Sequence, residues 1–134
     1  MRRETERRLL QMAVAIGCLV PLTAGAEGVL DGPATLKSAA GAANPDLDSQ
    51  FRYLSGLLLG VGLCFAAAIP TIERRSELVT ALAATVVVGG AARLAGLLSG
   101  NLPSTPHLLA LGMELGIVPL LWLWQRRVAH RFKR

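Results

Sequence analysis

The sequence predicts an all-α fold, an antiparallel four-helix transmembrane bundle, and three observations carry that expectation. Of the 134 residues, 52% are hydrophobic and 17% charged, and the mean hydropathy is +0.47, a balance shifted from soluble globular chains toward membrane proteins. The apolar residues gather into four stretches, 9–26, 53–72, 78–98 and 108–125, of 18, 20, 21 and 18 residues. A spanning helix needs about 20 such residues, with about 17–25 tolerated. Finally, the connections are short and the cations lie on alternate ones, as successive up and down passes require. Residues 1–134 therefore read as one integral membrane domain.

The N-terminus combines Arg2, Arg3, Arg7 and Arg8 with the apolar run 9–26 and a small-x-small Ala24-Gly25-Ala26. Two readings stay open. A signal peptide would be cleaved after Ala26; a retained first span is favoured because Pro21 interrupts the apolar core and Gly28-Val29-Leu30 can prolong the helix outward. The outer loop, 27–50, carries the turn formers Asp31-Gly32-Pro33 and Asn44-Pro45, with a weakly helical stretch at 34–43 between them. Asp48 is expected to cap the second helix, since its carboxylate can accept from free amides there.

The charged connection 71–77 and the Pro-containing turn 99–106 are each too short for anything but neighbouring helices. At the inner end of the fourth span, Trp122 and Trp124 precede Gln125, Arg126 and Arg127, a pattern of indoles at head-group level with cationic stems reaching water. Phe51 and Tyr53 do the same at the outer start of the second.

The net charge is +5. Eleven of the 14 basic residues fall on one side: Arg2, Arg3, Arg7, Arg8, Arg74, Arg75, Arg126, Arg127, Arg131, Lys133 and Arg134. The other side has Lys37 and the border residue Arg52 against Glu27, Asp31, Asp46 and Asp48. This bias predicts a multi-pass protein of the bacterial inner membrane with both termini cytoplasmic. Its expected partners are membrane lipids, with anionic head groups at the basic end, and a second copy or another membrane protein. Nucleic acid is not expected, because no basic patch is interleaved with stacking aromatics.

Charge inside a span is the exception that carries information. Arg93 lies in the third span and Glu114 in the fourth, and each costs roughly 2.5–3.5 kcal/mol in hydrocarbon on insertion scales unless it faces protein and pairs. Counting inward at 1.5 Å per residue puts Arg93 about 7–8 Å and Glu114 about 10 Å from the outer helix ends. The two are expected to meet. Gly89, Gly90, Gly96 and Gly100 share the Arg93 face; Arg52, Ser55, Gly56 and Gly60 form a stripe on the second helix; His107 shares the Glu114 face. The candidate ligand-binding site is thus an outer-leaflet polar patch of Arg52, Arg93 and Glu114, with Ser55, His107 and Asp48.

Two readings of that patch stay open. One is a stabilising ion pair with a rim arginine. The other is a shallow pocket for an anionic or polar ligand. No catalytic constellation, metal-ligand set or cofactor fingerprint is present, so no cofactor, no metal and no enzymatic activity is expected. Cys18 and Cys64 read as buried filler, with a disulfide left to geometry. Gly28/Gly32, Gly56/Gly60, Gly96/Gly100 and Gly112/Gly116 are small-xxx-small pairs suited to close helix packing within or between chains.

The run Asp48-Ser49-Gln50-Phe51-Arg52-Tyr53-Leu54-Ser55-Gly56, the later Gly89-Gly90-Ala91-Ala92-Arg93-Leu94 and Glu114 resemble a family of small bacterial membrane proteins, the domain-of-unknown-function family 4345. The resemblance covers residues 10–128, and Arg52-Tyr53-Leu54-Ser55-Gly56 is its most specific part. It implies a four-span membrane protein with a retained first helix and no assigned activity. Some members carry histidine where this chain has Gln50, so no titrating role is expected there. The function expected is that of a non-catalytic binding or accessory component; the alternative is a small oligomeric transport or redox-accessory protein.

Overall fold

Helices account for nearly all of the chain in a computed structural model that describes residues 2–36 and 44–133. We label them α1 (Arg3–Asp31), α2 (Pro45–Ala68), α3 (Ser76–Leu98) and α4 (Thr105–Phe132), with 3-10 turns at Gly32–Thr35 and Ile69–Arg74. No strand occurs among the described residues. The four helical segments, including the 3-10 turns that extend two of them, span 23–33 residues and are long and apolar enough to cross a membrane. The chain is an all-α four-helix protein, as expected.

The helices outrun the apolar stretches at most of their ends. α1 continues through Pro21 to Asp31, past Ala26, so Gly28-Val29-Leu30 do prolong it. Gly32 then stops it, at φ +64, a conformation glycine adopts without a Cβ penalty. The expected outer loop shrinks from 27–50 to the segment between Thr35 and Asn44; residues 37–43, with Lys37 and most of the stretch 34–43, lie outside the described residues, as does Arg134.

One cap differs from expectation. The N-cap of α2 is Asn44, not Asp48: Asn44 Oδ1 accepts from the amides of Asp46 at 3.0 Å and Leu47 at 3.3 Å. Pro45 takes the first helical position, where its missing N–H costs nothing. That leaves Asp48 inside the first turn, free to reach along the helix. At the end of α3, Gly100 (φ +92) closes a Schellman cap, its amide bonding Leu97 O at 3.0 Å and the Asn101 amide bonding Gly96 O at 3.2 Å.

α4 contains a π-helical turn, Met113–Ile117, in which the Val118 amide donates to Met113 O. Pro119 supplies the cause. It has no N–H for the Leu115 carbonyl and its ring would collide with that carbonyl in an α-helix, and a wider turn relieves both.

The described chain falls into two compact units. The hairpin unit, Val14–Ile69, joins most of α1 to α2. Here the contacts pair Leu22 with Gly62, Gly25 with Leu59 and Gly28 with Ser55, so numbers rise on one helix as they fall on the other. Gly25 is the tightest point, because a Cβ there would sit 2.7 Å from Leu59 N and 2.8 Å from its Cα. Cys18 is buried, Cys64 is exposed, and both are free thiols.

The composite unit joins residues up to Ala13 to those from Pro70 onward. Its α3–α4 pairing also runs in opposed register: Ser76 to Gln125, Thr80 to Trp122, Gly90 to Glu114. Leu10, Ile72, Val128 and Ala129 are its buried apolar residues at the end near both termini.

The small-xxx-small pairs divide. Gly28 and Gly32 are packed against side chains, whereas Gly60, Gly96, Gly100, Gly112 and Gly116 have no described atom within 4 Å of where a Cβ would be; outside those pairs, Gly90 is packed against Glu114 and Leu115 and Gly89 is open. The Arg93 face is therefore close-packed at Gly90 and not at Gly89 or Gly96.

Candidate functional site

Arg93 projects from the last third of α3, and α4 brings two partners to it. Its Nε donates to Glu114 Oε2 at 3.0 Å and its Nη2 to Glu114 Oε1 at 3.1 Å. This is a fork-to-fork pair, the strongest and most orienting form of guanidinium–carboxylate contact. Nη1 meets His107 Nδ1 at 3.0 Å. A guanidinium can only donate, so Nδ1 accepts and the ring proton sits on Nε2. Side-chain exposure is 33% for Arg93 and 18% for Glu114, so the pair is recessed and still reachable.

The local backbone explains the fit. Gly90, one turn before Arg93, lets α4 approach: a Cβ there would fall 2.8 Å from Glu114 Cβ and 2.9 Å from Leu115 Cδ2. Glu114 belongs to the π turn, whose extra residue changes which way its side chain points relative to His107 a few turns earlier. Of the five N–H donors of Arg93, three are engaged; one on each terminal nitrogen remains.

Arg52, Asp48 and Ser55 belong to the hairpin unit. Arg52 Nε donates to Asp48 Oδ2 at 2.9 Å, and Nη1 donates to the carbonyls of Val29 at 2.6 Å and Leu30 at 2.8 Å. Those carbonyls belong to the last turn of α1, where the chain leaves acceptors unpaired and the helix dipole favours a cation. Arg52 is thus a C-terminal cap delivered from the neighbouring helix, and Asp48 orients it. Ser55, 8% exposed, packs on Gly28. Among the described residues, the hydrogen-bond partners of Arg52 come from the hairpin unit and those of Arg93 from the composite one.

A substitution separates charge from geometry at this cap. Arg52→Ala is expected to lower unfolding free energy by about 1–2 kcal/mol, the sum of a lost cap and two carbonyl bonds. Arg52→Lys should restore about half, because an ammonium keeps the charge and loses the fork. Detergent-titrated unfolding followed by circular dichroism reads both; equal stability of all three proteins would reject the capping role.

A second polar cluster, at the end near both termini, was missed by the reading of the basic residues as lipid contacts alone. Glu6 is 6% exposed and Glu73 is 7% exposed. Arg131 Nη1 lies 2.8 Å from Glu6 Oε2, Arg127 Nε 3.1 Å from Glu6 Oε1, and Arg7 Nη1 3.6 Å from Glu73. The Arg7 guanidinium also stacks over Phe132 at 5.5 Å. Fully buried Gln125 donates to Ile72 O at 2.7 Å and to Ser76 Oγ at 3.0 Å, and Trp122 Nε1 donates to Thr80 Oγ1 at 2.9 Å.

Four of the eleven cations at this end, Arg7, Arg74, Arg127 and Arg131, thereby pair with carboxylates inside the fold. The signal was available in the sequence: Glu6 lies four residues before Leu10, on the buried face of α1, and Glu73 follows buried Ile72.

Among the described residues no group of His, Cys, Asp and Glu is arranged to hold a metal ion. In comparison with known proteins, residues 9–125 match the model of one family, described as "Domain of unknown function (DUF4345)". No curated protein and no solved structure matches the chain.

Proposed function

Since this chain belongs to the DUF4345 family, whose description assigns no activity, we propose that it is a non-catalytic binding or accessory component of the bacterial inner membrane. Both termini lie in the cytoplasm, and the Arg93–Glu114–His107 cluster in the outer leaflet receives a small polar ligand or a lipid head group. The cation bias supports the orientation: eleven of 14 basic residues lie on the side of the two termini.

One observation carries the binding reading. The cluster is a charge-balanced pair that still offers hydrogen-bond donors: two N–H groups of Arg93 and the Nε2–H of His107. Because Glu114 already neutralises Arg93, the ligand favoured is polar with acceptor oxygens, rather than a strong anion. Arg52, whose Nη1 donates to the end of α1 and whose Nε donates to Asp48, braces its own hairpin.

The test is native mass spectrometry of protein extracted in mild detergent. Wild type is expected to retain a co-purified small molecule or lipid that His107→Phe, which leaves the Arg93–Glu114 fork in place, loses by about tenfold in occupancy. The same adducts on both proteins would sink the reading. The oligomeric alternative draws on Gly112 and Gly116, which have no described atom near them and suit contact with another helix. The same spectra test it, since a strictly monomeric protein would count against it.

A further inference from the structure

At the opposite end of the composite unit from the Arg93 cluster, an open cleft of about 460 Å³ is lined by Glu6, Leu123, Trp124 and Arg127. We infer that this cleft binds the phosphate of an acidic phospholipid, with Arg127 as the phosphate ligand and Leu123 and Trp124 as the wall for the lipid's glycerol and upper acyl carbons.

Charge comes first. Glu6 is buried between two guanidinium groups, with Arg127 Nε 3.1 Å from Oε1 and Arg131 Nη1 2.8 Å from Oε2, the latter an ion pair that leaves Oε2 without a hydrogen bond among the described residues. One carboxylate against two guanidinium groups leaves a net positive charge at the cleft. Geometry then says which arginine is available. Arg127 gives only its Nε to Glu6, at 3.1 Å, and is 65% exposed; among the described residues its two terminal nitrogens make no further bond. The carboxylate therefore fixes the guanidinium at one corner and leaves its outer edge, with four N–H donors, facing out. That edge matches two oxygens of a phosphodiester.

The wall decides between a lipid and free phosphate. Leu123 is 54% exposed and Trp124 half-buried, three and two residues before the arginine pair Arg126 and Arg127. An indole and a leucine beside a cation suit the boundary between acyl chains and head groups. An inorganic ion would leave that apolar surface unused. Neighbouring Arg126 is differently employed, its guanidinium stacked over Trp122 at 5.5 Å, so it serves as the control.

The experiment measures lipid binding to the detergent-solubilised full chain by native mass spectrometry. The probes are dioleoylphosphatidylglycerol, dioleoylphosphatidylcholine and inorganic phosphate. For the first bound lipid, phosphatidylglycerol is expected to bind at least tenfold more tightly than phosphatidylcholine, and phosphate is expected not to compete. Arg127→Gln should remove that preference, whereas Arg126→Gln should keep it.

Because Arg127→Gln also loosens Glu6, Leu123→Glu provides a second arm. It leaves both Glu6 ion pairs in place and sets a carboxylate on the cleft wall, and it too should abolish the first phosphatidylglycerol site. Equal binding of the two lipids to wild type, equal losses at Arg126 and Arg127, or an unaffected Leu123→Glu protein would each overturn the inference. Displacement of the lipid by millimolar phosphate would assign the cleft to the free ion instead.

Discussion

Alanine at Arg93 or at Glu114 is expected to lower the unfolding free energy by about 2–3 kcal/mol each, with the double substitution costing clearly less than the two together. Removing one partner strands the other in a recess of α3 and α4, where hydrocarbon offers no counter-charge and α4 leaves Arg93 only the single bond to neutral His107. The fully buried limit is about 3–5 kcal/mol; side-chain exposures of 33% and 18% bring the expectation below it. Removing both abolishes the stranded charge and leaves a small gap beside Gly90. His107→Ala should cost less than either, since it removes a single bond to an arginine that Glu114 still holds. Reversible unfolding in mixed micelles, followed through the fluorescence of Trp122 and Trp124, measures all four proteins, and strict additivity would reject the pairing.

The second large effect is steric. Gly25→Val should destabilise by about 2–3 kcal/mol or more, because a Cβ at that position meets the backbone of Leu59, which no rotamer change can move. Gly60→Ala, at a position with nothing within 4 Å, should be neutral or stabilising by up to about 1 kcal/mol through helix propensity alone. The contrast is internal to one hairpin, and its absence would mean that α1 and α2 do not approach as closely as the structure has them.

Much of the architecture could be read before any coordinates, because a bilayer imposes a length on every crossing segment and four stretches meet it. The Arg93–Glu114 pair was legible for a related reason: two opposite charges in apolar spans joined by a short turn have few places to go. His107 followed from helical spacing on the same face.

What escaped the sequence reading escaped for physical reasons. Arg52 looked like a rim cation, but the open carbonyls at the end of α1 attract it, and such acceptors are invisible until the helix end is known. Asp48 was taken for the cap because acids favour first turns, yet Asn44 stands immediately before Pro45 and reaches the amides first. Counting only cations at the end near the termini hid Glu6 and Glu73, whose burial depends on the faces presented by Leu10 and Ile72. Gly25, in contrast, falls in a 25/28/32 row spaced three and four apart, a stripe that a search for small-xxx-small pairs divides and so overlooks.

The wide turn at Met113–Ile117 makes α4 two rods in different rotational phase. A single helical wheel drawn through Thr105–Phe132 would place Gln125, 18 residues on from His107, directly over it and Trp122 about 60° away, and the surplus residue of the turn shifts that count by about one step. Both rows nevertheless address α3. The wide turn therefore takes up its surplus residue locally, and deleting one position between Met113 and Ile117 is expected to leave both rows facing α3 while setting the Pro119 ring against the carbonyl four residues before it.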